Sequence, residues 1–229
     1  MDILWFLEHR LQFVWHLYRR AVLPFRITKR KIDRGSPPFV DGSDPEDASE
    51  PAFVSEWSQA EECIGVIGHL CLSLVHASLF VFLRFFIEMM QQWNAFGTEP
   101  LTKQLSKVKG KSLFHKYQTF CRDVLRIDWT KGPVDISLLE QMNLARDEFV
   151  HPDEITAWTV YQSEEHLRKY PNSVFADELW TQMGMSGKLK VDAEKLRSAI
   201  TTVREFCQWL DYTRNHYSAH LEDLARNYS

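Results

Sequence analysis

Apolar residues recur at three- and four-residue steps through most of this chain, the spacing of helices with one buried face. Leu4, Leu7, Leu11, Val14 and Leu17 form the first such stripe. It predicts a helix from Asp2 to about Arg34, kinked or ended at Pro24, where a backbone N–H is missing. The second half of that segment is basic, with Arg19, Arg20, Arg26, Lys29, Arg30, Lys31 and Arg34. Gly35-Ser36-Pro37-Pro38 follows, then an acidic run holding Asp41, Asp44, Glu46, Asp47 and Glu50. No apolar period survives there, so residues 35–54 read as a linker whose charge attracts the preceding helix.

The longest apolar run predicts a helix from about Ser55 to Asn94, with Ser58 and Glu61 in capping-box spacing and Gly97 beyond its end. Pro100 suits the first turn of a short helix, and Gly110 interrupts. A further helix runs from Ser112 to Ile127, and Trp129 to Pro133 reads as a turn. Ser137 and Glu140 form a second capping box, opening a helix to His151 whose core face is Leu138, Met142, Ala145 and Phe149. Residues 152–190 read as irregular, with a short helix near 163–169 and turns at Pro171 and Gly184–Gly187. Asp192 is a good N-cap for a last helix reaching about Asn227. Nothing signals a hairpin or a repeat. The expected fold is all-α: a bundle of four or five main helices over residues 55–229, preceded by an amphipathic, basic helix (1–34) and an acidic linker (35–54).

Composition narrows the classes. An apolar fraction of 45% with 25% charged residues excludes a disordered or collagen-like chain. A net charge of −4 excludes a nucleic-acid binder held by bulk charge alone. Cys63, Cys71, Cys121 and Cys207 include no C-x-x-C pair and are too few for a disulfide framework, so reduced thiols in a cytoplasmic protein are expected. Asp2 stands where a secretory leader would carry lysines, and no small-residue cleavage site follows. Residues 63–83 lack Asp, Glu, Lys and Arg and are long enough to span a bilayer. A polar seam of Glu62, Gly65, His69, Ser73 and His76 points instead to a buried core helix facing solvent or a polar partner. Membrane association through residues 1–30 or 63–83 is the weakest of the functional readings.

Several enzyme classes fail on their motifs: there is no G-x-G-x-x-G, P-loop, G-x-S-x-G or H-E-x-x-H. Zinc spacing is absent, and Glu148 with His151 supplies only one of the two Glu-x-x-His motifs a di-iron bundle needs. His69 and His76 share a helix face but stand about 10.5 Å apart along the axis, too far to share one zinc. They read as structural histidines, and no cofactor or metal is expected.

One stretch carries chemistry: Asn143-Leu144-Ala145-Arg146-Asp147-Glu148-Phe149-Val150-His151. It resembles the R-x4–6-H signature of the HEPN superfamily, an Arg followed by Asn, Asp or His and then a His. The helix order resembles that family over roughly residues 57–226. The bare spacing occurs three times, at Arg10/His16, Arg146/His151 and Arg214/His220, against about two expected by chance. Context separates them. Arg10 is followed by Leu11 on an apolar helix, and Arg214 lies far along the last helix. Only Arg146 has the Asp, an amphipathic helix before it and a helix end after the His. Residues five apart on a straight helix diverge by about 140°, and Pro152 disfavours the α conformation at His151, freeing it from that direction. Asp147, one turn before His151, is placed to orient the imidazole.

The resemblance implies a metal-independent endoribonuclease, in a toxin or defence setting, in which a homodimer brings two motifs into one cleft and RNA is cut by its own 2′-hydroxyl. His151 would be the acid/base, since an imidazole gives and takes protons near neutrality. Arg146 would hold the scissile phosphate with its planar fork, and Asp147 would orient or polarise. RNA is then the expected partner, with a protein such as an antitoxin as another; DNA is not expected. The alternative is a non-catalytic helical module binding RNA, nucleotide or protein. Basic stretches at 19–34 and 103–131 are placed to track an RNA backbone, and Trp129 and Trp158, in turns near the motif, are the aromatics to inspect as stacking surfaces.

Overall fold

The computed structural model describes residues 2–40, 52–91, 99–110, 112–151, 159–185 and 187–217. Among these, helices dominate: α1 (Ile3–Ala21), α2 (Leu23–Asp33), α3 (Val54–Met90), α4 (Leu101–Lys107), α5 (Leu113–Asp123), α6 (Ile136–Val150), α7 (Glu164–Lys169), α8 (Glu178–Gln182) and α9 (Ala193–Asn215). The chain is therefore mostly α-helical. It carries one departure from expectation, a two-stranded antiparallel pair of β1 (Val160–Tyr161) and β2 (Lys188–Leu189). These strands are short and far apart in sequence, so neither gives the turn-bounded alternation by which a hairpin is read.

The chain divides into two compact units, and α1, α3, α6 and α9 each contribute residues to both. The first comprises residues 1–12, 74–143 and 198–229. Its core joins Leu7 and Leu11 of α1, Leu79, Leu83 and Phe86 of α3, Phe114 and Phe120 of α5, and Val203, Phe206 and Leu210 of α9, all buried. Trp129 sits edge-on between Phe114 and Phe206, with ring centroids at 5.5 and 4.9 Å. At 1% exposure it is a core residue, which removes it as a stacking surface for a base; an apolar neighbourhood, not the turn, decides where a large ring goes. Trp158 lies outside the described residues. On α1, Arg10 Nε donates to Ser78 Oγ at 3.2 Å and Glu8 accepts from Arg204 Nε at 2.9 Å, so the first helix is packed into the fold.

The second unit comprises residues 13–73 and 144–197. Here α2 is fastened to α3. Glu61 takes an ion pair from Lys29 and another from Lys190 Nζ at 2.6 Å. Lys29 also lies 3.8 Å over the Trp57 ring, whose Nε1 donates to Asp33 Oδ1 at 2.9 Å. Burial opposes ionisation of Glu61, but the hydrogen bonds from Lys190 and Lys29 outweigh it and hold the carboxyl below its ordinary range. Gly68 sets how closely α3 meets the segment after β2: a Cβ there would lie 1.9 Å from the Val191 carbonyl oxygen.

Several expected details shift. The buried stripe of α1 is Ile3, Leu7, Leu11, Val14 and Tyr18, while Leu17 is exposed and Leu4 half-buried. The cap of α6 is Asp135, whose Oδ1 accepts from Ser137 N at 2.8 Å; Ser137 is inside the helix and its hydroxyl donates to Asp135. Ser58 is likewise inside α3, one turn past its start, and Glu61 serves the ion pairs instead of a cap. The core face of α6 is Leu139, Met142 and Ala145, with Leu138 and Phe149 half-buried. Asp192 does cap α9, its Oδ1 accepting from Glu194 N and Lys195 N at 2.9 Å. That helix ends at Asn215, and residues 218–229, with His220, lie outside the described residues. Cys71, Cys121 and Cys207 are buried free thiols; burial pushes Cys121 up to about 12 and Cys71 up to about 11.

Candidate functional site

Arg146, Asp147 and His151 all come from the C-terminal end of α6, in the second unit. The turn before them is fixed on both sides. Ala145 is buried in the core, and the ring of Phe149 stacks on His69 of α3 at 5.1 Å with the planes 11° apart. Those two contacts leave Arg146 and Asp147 half-exposed on the remaining face, and His151 exposed one residue beyond the helix. The His151 N–H donates to the Asp147 carbonyl at 2.9 Å, so the helical hydrogen-bond ladder reaches the histidine. Pro152, which the sequence places as the residue turning His151 aside, lies outside the described residues.

Arg146 Nη1 donates to Asp147 Oδ1 at 2.7 Å. The two charged residues of the motif are thus joined, and that carboxylate oxygen faces the guanidinium. Their side chains are 31% and 42% exposed, so water screens the pair and its worth to stability is small. Chemically the cluster offers a half-shielded guanidinium with donor positions besides Nη1 and an exposed imidazole. The apolar clefts lined by Phe6, Leu7 and Phe82 in one unit and by Phe25, Val66 and Ile67 in the other involve none of the three residues.

A neighbouring pair escaped the sequence reading. Glu148 accepts a hydrogen bond from Ser163 N at 2.7 Å and meets His166 Nδ1 at 2.9 Å. His166 is wholly buried, and its Nε2 has no hydrogen-bond partner among the described residues. The Glu148 carboxylate thus holds the buried His166 ring through Nδ1. The pair clamps the start of α7 against the end of α6, one residue from Asp147. Eighteen positions separate the partners across an irregular stretch, and no helical or strand period signals such a contact.

The two seam histidines are structural. His69 is buried and hydrogen-bonded to the Leu189 backbone; burial lowers its pKa to about 4, so it is neutral at pH 7. His76 Nε2 lies 3.0 Å from Asn143 Oδ1, which assigns Asn143, the first residue of the motif stretch, to packing. Among the described residues no group of three or more His, Cys, Asp and Glu is arranged to hold a metal ion. No family model, no curated protein and no solved structure matches this chain.

Proposed function

We propose that the chain is a HEPN-like helical-bundle protein acting as a metal-independent endoribonuclease in a toxin or defence setting, with Arg146, Asp147 and His151 as its working residues. One observation carries the reading: an exposed histidine directly follows a helix whose last turns present an Arg–Asp pair on a surface fixed by Phe149 and Ala145. In the reaction, an imidazole takes the proton of a ribose 2′-hydroxyl as that oxygen attacks the adjacent phosphorus. The P–O5′ bond breaks, the departing oxygen receives a proton, and a 2′,3′-cyclic phosphate remains. Arg146 offsets the charge gathering on the phosphate oxygens, and Asp147 fixes the guanidinium beside it. Two copies bring two histidines to one phosphodiester, one as base and one as acid. An antitoxin-like protein is a further partner of this reading.

A second reading, a non-catalytic binding module, is favoured by the Arg146–Asp147 bond itself, which already occupies one arm of the fork. The two separate on rate and mass. Cleavage requires a dimer, and His151→Ala lowers the rate by about 10²–10⁴-fold without changing the fold. A monomer at micromolar concentration that holds RNA without turnover selects the binding module.

A further inference from the structure

The face of α1 and α2 between Phe13 and Arg34 has no role in the site above. The helical path runs on through Pro24: Val22 has α-helical angles, and the Arg26 N–H donates to the Val22 carbonyl at 3.0 Å. Residues 13, 17, 20, 23, 27, 30, 31 and 34 therefore follow one another at helical steps along a single outward side. On that side Phe13 (63% exposed), Leu17 (38%), Leu23 (48%) and Ile27 (42%) lie bare to solvent, opposite the buried Val14, Tyr18 and Val22. Exposed Arg19, Arg20, Arg26, Arg30, Lys31 and Arg34 surround them. Among the described residues, Glu61 holds Lys29 and Lys190, and Asp33 accepts from Trp57.

We infer that this face is a docking surface for an anionic lipid bilayer, on which α1–α2 lies in the plane of the headgroups. Arginines and a lysine alternate with bulky apolar side chains on one helical side, the pattern of interfacial helices whose cations meet lipid phosphates while Leu, Ile and Phe enter the acyl boundary. Charge complementarity selects anionic over neutral lipid. The apolar members select lipid over nucleic acid: Leu17, Leu23 and Ile27 have no ring face on which a base stacks. The inference goes beyond the ribonuclease reading and does not depend on His151.

The test is flotation of the full-length protein with phosphatidylcholine vesicles containing none or about 30% phosphatidylserine. The expected result is binding to the anionic vesicles alone, weakened by raised salt. Arg20→Glu, Arg30→Glu and Lys31→Glu together, and separately Leu17→Ser, Leu23→Ser and Ile27→Ser together, each reduce partitioning by at least about tenfold. All six side chains are exposed or at the surface, so both variants keep the wild-type circular dichroism. The His151→Ala variant binds vesicles as wild type does, which separates this inference from the catalytic one. Equal binding to neutral vesicles overturns it. So does retained binding by the serine variant, or binding of an RNA oligonucleotide, in place of vesicles, that only the charge reversals abolish.

Discussion

Two glycines three positions apart on α3 make opposite demands. At Gly68 an added methyl group meets the Val191 carbonyl oxygen at 1.9 Å, a backbone atom that cannot swing aside. Gly68→Ala is expected to destabilise the protein by about 3 kcal/mol or more. Gly65 has nothing within 4 Å of its Cβ position, so Gly65→Ala is expected to stabilise by about 0.5–1 kcal/mol through helix propensity. Urea unfolding of both variants checks the pair; equal effects would refute the close packing of α3 on the segment after β2. His69 adds a pH dependence. Its imidazole titrates near 4 when folded, through burial, and near 6.5 when unfolded, so between those values the unfolded chain binds more protons. Stability is full above pH 6.5 and falls as the pH drops, by about 3 kcal/mol at pH 4 from this group. His69→Phe keeps the stack on Phe149 and removes the titrating ring, so its stability difference between pH 7 and pH 4.5 should shrink by about 2 kcal/mol. An unchanged difference would show that other groups drive the acid limb.

At the scale of elements, α6 is held by contacts of very different legibility. Its helical spacing and its end near His151 were readable, because residues 136–150 follow an apolar period. Its cap was not: Ser137 and Asp135 are both good caps, and only the backbone path selects Asp135. The Glu148–His166 clamp leaves no trace for a related reason: its partners lie on separate helices joined by an irregular stretch, and periodicity within either helix does not mark a contact between them. Glu148→Ala strands a buried imidazole and is expected to cost about 1.5–3 kcal/mol in chemical denaturation; a cost near zero would mean that the clamp does not hold α7. In α3 two residues of the polar seam meet polar groups, His69 the Leu189 backbone and His76 the Asn143 side chain. The opposite outcome on that helix, exposed Leu70 and Leu74, was not anticipated, because an apolar residue in a long apolar run carries no mark of which way it points.

For the whole molecule, the all-α class followed from periodicity alone, whereas the β1–β2 pair and the partition into two units required coordinates. α3 is the one described helix long and apolar enough to cross a membrane, with a mean hydropathy of 2.1 over its best window, half of which is buried within the fold. Of the candidate site, the sequence placed three residues at one helix end: Arg146 is paired with Asp147, and His151 is exposed one residue past the helix. The proposed cleavage needs His151 to move protons at an RNA phosphate. Its most direct test is to incubate purified protein with RNA in EDTA and determine the product ends. Wild type is predicted to leave 2′,3′-cyclic phosphates and 5′-hydroxyls, and folded His151→Ala to leave the RNA whole. Intact RNA from wild type, or equal cleavage by both proteins, would contradict it.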